Sequence, residues 1–262
     1  MRSLWPIAAY FNYYRKAATR YRVHSPYVYE LIEKVFRDKE RYNDYRSLNR
    51  VRKRYARRKD KVETMDFGAA AGNKKYIVRI TTVGKVVRER THSRKQLEFL
   101  YRMAKWFQPE TILEFGTAAG ISALYLGKGS PGSRMITMEG CMGLASIANK
   151  SFAKRNLNIE VEVGDFDAIL DNILKRTDKL DMVFFDGNHR KTPTLDYFEK
   201  CIEKADENSV FMFDDIHWSR GMSSAWTTIK KDPRVSVTID LYWIGLVFFK
   251  KNIEKQDFVI RY

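Results

Sequence analysis

The C-terminal two-thirds of the chain switches repeatedly between two hydrophobic periods. Short apolar or alternating runs at residues 112–114, 135–139, 159–163, 180–186 and 209–214 have the composition of strands, the fourth being almost continuously apolar as a central parallel strand should be. Between them the apolar residues recur every three or four positions: Leu97, Leu100, Tyr101, Ala104 and Phe107 before Pro109, then from Ser122 to Leu126, then across residues 142–155. This alternation predicts a three-layer α/β sandwich with helices on both faces of a mostly parallel sheet. After a helix at 222–230, the strand-like runs 235–241, 244–250 and 258–261 follow one another directly. They predict an antiparallel hairpin at the end of that sheet.

The N-terminal third has another character. Trp5, Ile7, Ala8, Tyr10, Phe11 and Tyr14 make an aromatic helical face, and Pro26 opens a helix with Tyr27, Val28, Leu31, Ile32, Val35 and Phe36 at helical spacing. A glycine-rich turn at 66–73 precedes a strand at 76–82. Charge sets this stretch apart: residues 1–95 hold 26 Lys and Arg against 9 Asp and Glu, a net +17, whereas residues 96–262 hold 22 against 23, a net −1. The chain's formal +16 therefore belongs to a basic, mainly helical extension over 1–93, and residues 94–262 are expected to be the catalytic domain. Three uses of the extension stay open. It can pack its aromatics on the catalytic domain and leave its cations in water, or capture nucleic acid, or bind an anionic membrane surface through residues 1–61. Cys141 and Cys201 lack metal-ligand spacing, and neither a secretory pattern nor a membrane-length apolar run is present, so a cytoplasmic protein is expected.

Candidate chemistry concentrates first at residues 111–126, TILEFGTAAGISALYL. Gly116 and Gly120 bracket a turn between a strand and a helix, where the backbone can approach a ligand closely and the helix offers free N–H groups. Thr117 and Ser122 are the polar groups of that cradle. A second unit follows at 135–140, whose apolar strand ends in Glu139 and Gly140 about 20 residues after the glycines, where a carboxylate can accept both hydroxyls of a ribose. The nicotinamide fingerprint G-x-G-x-x-G is not met, because Ala118 stands at its middle glycine and Glu114 would repel a pyrophosphate. Glu114 suits an ammonium-bearing ligand better. The pattern E-x-G-x-x-x-G followed by an acidic second strand end resembles the class I S-adenosylmethionine (SAM) methyltransferases, and EFGTAAGIS is most similar to the small-molecule O-methyltransferases of the catechol type. The basic extension with HSPYVYEL, residues 24–31, resembles a bacterial subgroup of them. The resemblance implies a Rossmann-like sandwich with a seven-stranded, mostly parallel sheet and an antiparallel last strand. It also implies SAM held by Glu114, Gly116, Thr117, Gly120, Ser122, Glu139, Gly140, Asp165 and Asp186. Asp165 serves equally well as the cap of the following helix.

Later strands deliver a second set. The run 180–186 ends in Asp186, with Asn188 and His189 behind it, and the run 209–214 ends in Asp214 and Asp215, with His217 and Trp218 behind them. By the catechol-type resemblance Asp186, Asp214 and Asp215 would hold Mg²⁺, although that family has Asn at the position of Asp215, and a metal-free site stays open. His189 stands where the family has a catalytic lysine, which makes it the candidate general base, with His217 its rival and Asp186 in support. The expected function is SN2 methyl transfer from SAM to oxygen of a small-molecule acceptor. The alternatives are an RNA-directed methyltransferase docked through the extension and a non-catalytic SAM-binding protein. A homo-oligomer is compatible with all three.

Overall fold

A computed structural model describes residues 5–66 and 76–262, so the glycine-rich turn expected at 66–73 lies, apart from Asp66, outside the described residues. The chain divides into two compact units, Glu33–Ile173 and a second one built from Met1–Ile32 with Leu174–Tyr262. Each contains part of the basic extension.

The N-terminal piece holds α1 (Trp5–Lys16) and α2 (Pro26–Leu31). Pro26 occupies the first turn of α2 as expected, and Ser25 caps it by accepting from the Val28 N–H.

In the Glu33–Ile173 unit, α3 (Asn43–Tyr55) buries Tyr45, Leu48, Val51 and Tyr55 and turns its cations outward. An antiparallel hairpin follows, β1 (Lys61–Asp66) with β2 (Ile77–Thr82), then α4 (Val83–Arg90) and α5 (Arg94–Phe107). The start of α5 is set by a capping box in which Ser93 and Gln96 satisfy each other's backbone N–H, and Gln108 closes it in the left-handed conformation ahead of Pro109. The buried face of α5 includes the expected Leu97, Leu100, Tyr101 and Ala104. It also carries Arg102, whose guanidinium donates to Val35 O at 2.7 Å and to the Tyr45 hydroxyl at 3.5 Å. Next come β3 (Thr111–Phe115), α6 (Ile121–Gly129), β4 (Arg134–Glu139), α7 (Met142–Ala153), β5 (Ile159–Val163) and the start of α8 (Phe166–Lys175). The strands pair in parallel, β3 with β4 and β4 with β5. β4, paired on both sides, is buried from Met135 to Glu139 and its sequence is mainly apolar, whereas β5 is only partly buried and its sequence alternates with glutamates.

The other unit continues with β6 (Met182–Phe185), α9 (Lys191–Ile202), β7 (Val210–Asp214), α10 (Arg220–Lys231), β8 (Val237–Asp240), β9 (Ile244–Phe248) and β10 (Gln256–Val259). β6 and β7 are parallel, with the register partners Phe185 and Phe213 stacked 4.2 Å apart. β9 runs antiparallel to both β7 and β8, which is the expected hairpin. The expectation of seven strands with the last one antiparallel needs one refinement. The short β10 adds an eighth and pairs parallel to β8, so the antiparallel strand is the penultimate one. The N-terminal helix belongs to this same unit: the Tyr13 hydroxyl donates to Ile260 O at 2.6 Å, and the Tyr242 hydroxyl donates to Pro6 O at 2.7 Å.

Candidate functional site

Adjacent parallel strands place Glu114 and Thr137 opposite one another. The Thr137 hydroxyl donates to Glu114 Oε2 at 2.5 Å, and since it has one proton, the Thr117 hydroxyl 2.7 Å away donates to it in turn. Glu114 is wholly buried, and its Oε1 accepts no hydrogen bond among the described residues. Burial pushes its carboxyl up to about 7, while the Thr137 and Ser122 hydroxyls and the positive side of His92 pull it back. An orphaned buried carboxylate oxygen is costly until a donor or cation meets it. An ammonium group would do so.

Past β3 the backbone turns through positive φ at Gly116, Ala118 and Gly120, 98°, 45° and 77°. The N–H groups of Gly116 and Thr117 both donate to Met138 O, at 3.1 and 3.0 Å, and the Ala118 N–H donates to Glu139 Oε2 at 2.7 Å. Glu139 Oε1 takes the Cys141 N–H at 2.9 Å. One side chain thus ties the turn after β3 to the turn after β4. Burial pushes the Glu139 carboxyl up to about 7 as well, against backbone donors at Cys141, Ala118 and Gly140 and the nearby charge of Arg90. Its remaining lone pairs suit a vicinal diol. Gly120 is irreplaceable for space as well as for φ: a Cβ there would lie 2.8 Å from Phe152 Cζ on α7 and 3.0 Å from the Ala148 methyl. Asp165 follows Gly164, and its Oδ1 accepts from the Asp167 N–H at 3.3 Å, so its side chain is engaged at the start of α8.

In the other unit the ends of β6 and β7 carry the acidic and imidazole groups. His189 Nε2 lies 3.8 Å from Asp186 Oδ1. His189, Asp214 and Asp215 each present a ligand atom, all within 4.8 Å of one another. The turns that bring them there are tight: Asn188 and Asp215 adopt positive φ, 55° and 53°, and the Asp215 N–H is held by Trp243 O at 2.8 Å. His217 is committed elsewhere, its Nε2 2.8 Å from Asp240 Oδ2 and its Nδ1 3.2 Å from the Ser223 hydroxyl, with the ring stacked on Tyr242. Trp218 is exposed.

Residues 113–216 match the family model described as a methyltransferase domain. This segment is similar to a methyltransferase domain. Over 128 residues the chain is 28% identical to a catechol O-methyltransferase of Niastella koreensis, a match covering 47% of this chain and 57% of that protein. The chain thus spans little more than half the length of that curated relative. The methyltransferase fold is also seen in solved structures. An O-methyltransferase from Bacillus cereus in complex with S-adenosylhomocysteine (SAH) superposes with a TM-score of 0.54 at 21% identity, over 85% of this chain and 97% of that one. The O-methyltransferase TomG from Streptomyces achromogenes, in complex with SAM, has a TM-score of 0.54 at 23% identity, over 62% and 82%. These likenesses establish the α/β, Rossmann-like class of the fold.

Of the residues picked out in the sequence, the structure gathers Glu114, Thr117, Ser122 and Glu139 with the two glycines, and His189 with Asp186, Asp214 and Asp215. Within this cluster both Asp186 and His189 present a ligand atom within 4.8 Å of one from Asp214. Sequence reasoning passed over Arg90 and His92, whose charges act on Glu139 and Glu114. The run RERTHS, residues 88–93, just before α5 carried the signal, hidden in the general positive charge of the extension.

Proposed function

We propose that this chain transfers the methyl group of SAM to a hydroxyl oxygen of a small molecule. The observation that carries the proposal is the pair of buried glutamates on neighbouring parallel strands: Glu114 with an unsatisfied oxygen for the ammonium of an amino acid, Glu139 with free lone pairs for a ribose. The named activities of the catechol-type relative and of the O-methyltransferase structures support the same reading. In the step itself, the acceptor oxygen forms a bond to the methyl carbon while the carbon–sulfur bond breaks, and SAH leaves as a neutral thioether. His189 Nε2 takes the hydroxyl proton, and Asp186 steadies the resulting imidazolium. Should a divalent cation take part, Asp214 and Asp215 would be its carboxylate ligands, with a cation-polarised acceptor oxygen as the gain. Titration with SAH by calorimetry tests the cofactor half of the proposal, and methyl transfer to a catechol panel with Mg²⁺ or with EDTA tests the other. Failure of SAH to bind would overturn it.

One feature favours a nucleic-acid acceptor as the second reading. Arg46, Arg50, Lys53, Arg54 and Arg57 form an exposed stripe on and beyond α3 that makes no ion pair among the described residues. RNA binding that weakens steeply with salt and is lost in an Arg46→Glu/Arg50→Glu variant would move the proposal there.

A further inference from the structure

The outward face of α1 has the opposite of the expected polarity. Ile7, Tyr10, Phe11 and Tyr14, spaced as neighbours on one helical stripe, are 57%, 46%, 69% and 48% exposed, while Ala9 and Tyr13 are buried. The stripe is fixed in place. Tyr13 and Tyr242 anchor the helix through their hydroxyls to Ile260 O and Pro6 O, and Tyr10 meets Tyr242 edge-on at 5.1 Å. Its exposed rim is cationic: Arg15, Lys16 and Arg22 are exposed, Arg261 lies over the Tyr14 ring at 4.1 Å, and the chain has no Asp or Glu before Glu30, while the Asp240 carboxylate near Tyr13 is buried on the helix's inner side.

We propose that α1 is a peripheral docking helix for an anionic lipid surface, with Ile7 and Phe11 entering the headgroup–acyl boundary and the cations meeting lipid phosphates. A held apolar stripe with a basic rim is what such binding requires, and aromatic side chains with one polar end favour that depth. Two other occupants fit less well. A second copy of the chain packed through a two-fold axis would bring the same cations face to face. Base stacking by a nucleic acid needs open ring faces, and Arg261 covers that of Tyr14 while Tyr10 is engaged by Tyr242.

The test is flotation of the full-length protein with vesicles of phosphatidylglycerol and phosphatidylcholine, and with phosphatidylcholine alone. Wild type should float with the anionic vesicles and weakly with the neutral ones. Ile7→Ser/Phe11→Ser should reduce the anionic partition by about tenfold or more while melting and SAH binding stay unchanged, and Phe11→Trp should keep it with a blue-shifted emission. Absence of flotation, or equal flotation of the double variant, would overturn the inference. So would a dimer by sedimentation velocity that the double variant abolishes, or poly(U) binding lost through the same substitutions.

Discussion

Thr137 stands directly across the β3–β4 ladder from Glu114 and gives its only proton to that buried carboxylate. Thr137→Val keeps the shape and removes the donor, leaving both the carboxylate and the Thr117 hydroxyl short of a partner. A destabilisation of about 1–3 kcal/mol is expected, read as a lowered denaturant midpoint with an unchanged slope. SAH affinity should fall with it.

Both buried glutamates hold protons at a pH where an unfolded chain has lost them, since each carboxyl is raised from 4.5 to about 7. Their joint contribution therefore makes stability fall as pH rises from about 4.5 to about 7 and level off above, by on the order of a few kcal/mol. Melting of wild type against Glu114→Gln/Glu139→Gln across that window isolates the effect; a wild-type slope no steeper than the variant's would contradict it. Because an ammonium ligand prefers the ionised Glu114, SAH should bind more tightly at pH 8 than at pH 6 and release protons at pH 6.5. Calorimetry in buffers of different ionisation enthalpy reads the proton count.

Glu139→Gln retains size but puts an NH₂ against a backbone N–H, from Ala118 or from Cys141. Loss of at least about tenfold in SAH affinity is expected, with the fold retained by far-UV circular dichroism.

The two histidines should separate cleanly. His189→Asn should lower kcat by about 10²–10⁴-fold with SAH affinity preserved, as for a general base. His217→Asn, which breaks contacts to Asp240 and Ser223, should lower the melting temperature first. Equal kcat losses in the two variants would remove His189 from its role.

What could be read in the sequence followed the physics of period and end position. β3, β4, β6 and β7 announce themselves because strands buried on both faces leave almost no polar positions, and Gly116, Gly120, Glu114 and Glu139 are conspicuous because they end or follow those strands. β10 is legible only in part, as the run 258–261: its start at Gln256 and its parallel pairing are set by β8 rather than by its own pattern. The commitment of His217 to Asp240 was equally hidden, since that partner lies 23 residues away on another strand. Arg90 and His92 escaped because a cation beside a buried acid looks, in sequence, like any other cation in a basic stretch.

The buried guanidinium of Arg102 carries a lesson about inheritance. Its donors end on Val35 and Tyr45, from the basic extension, while its own helix leads into the glycine turn. Cutting the chain at residue 93 would take the Val35 and Tyr45 acceptors away from a buried charge, at a cost of several kcal/mol. Residues 33–55 and 94–107 must therefore descend together, and recombination between lineages would be tolerated at a crossover outside this pair, not between its halves.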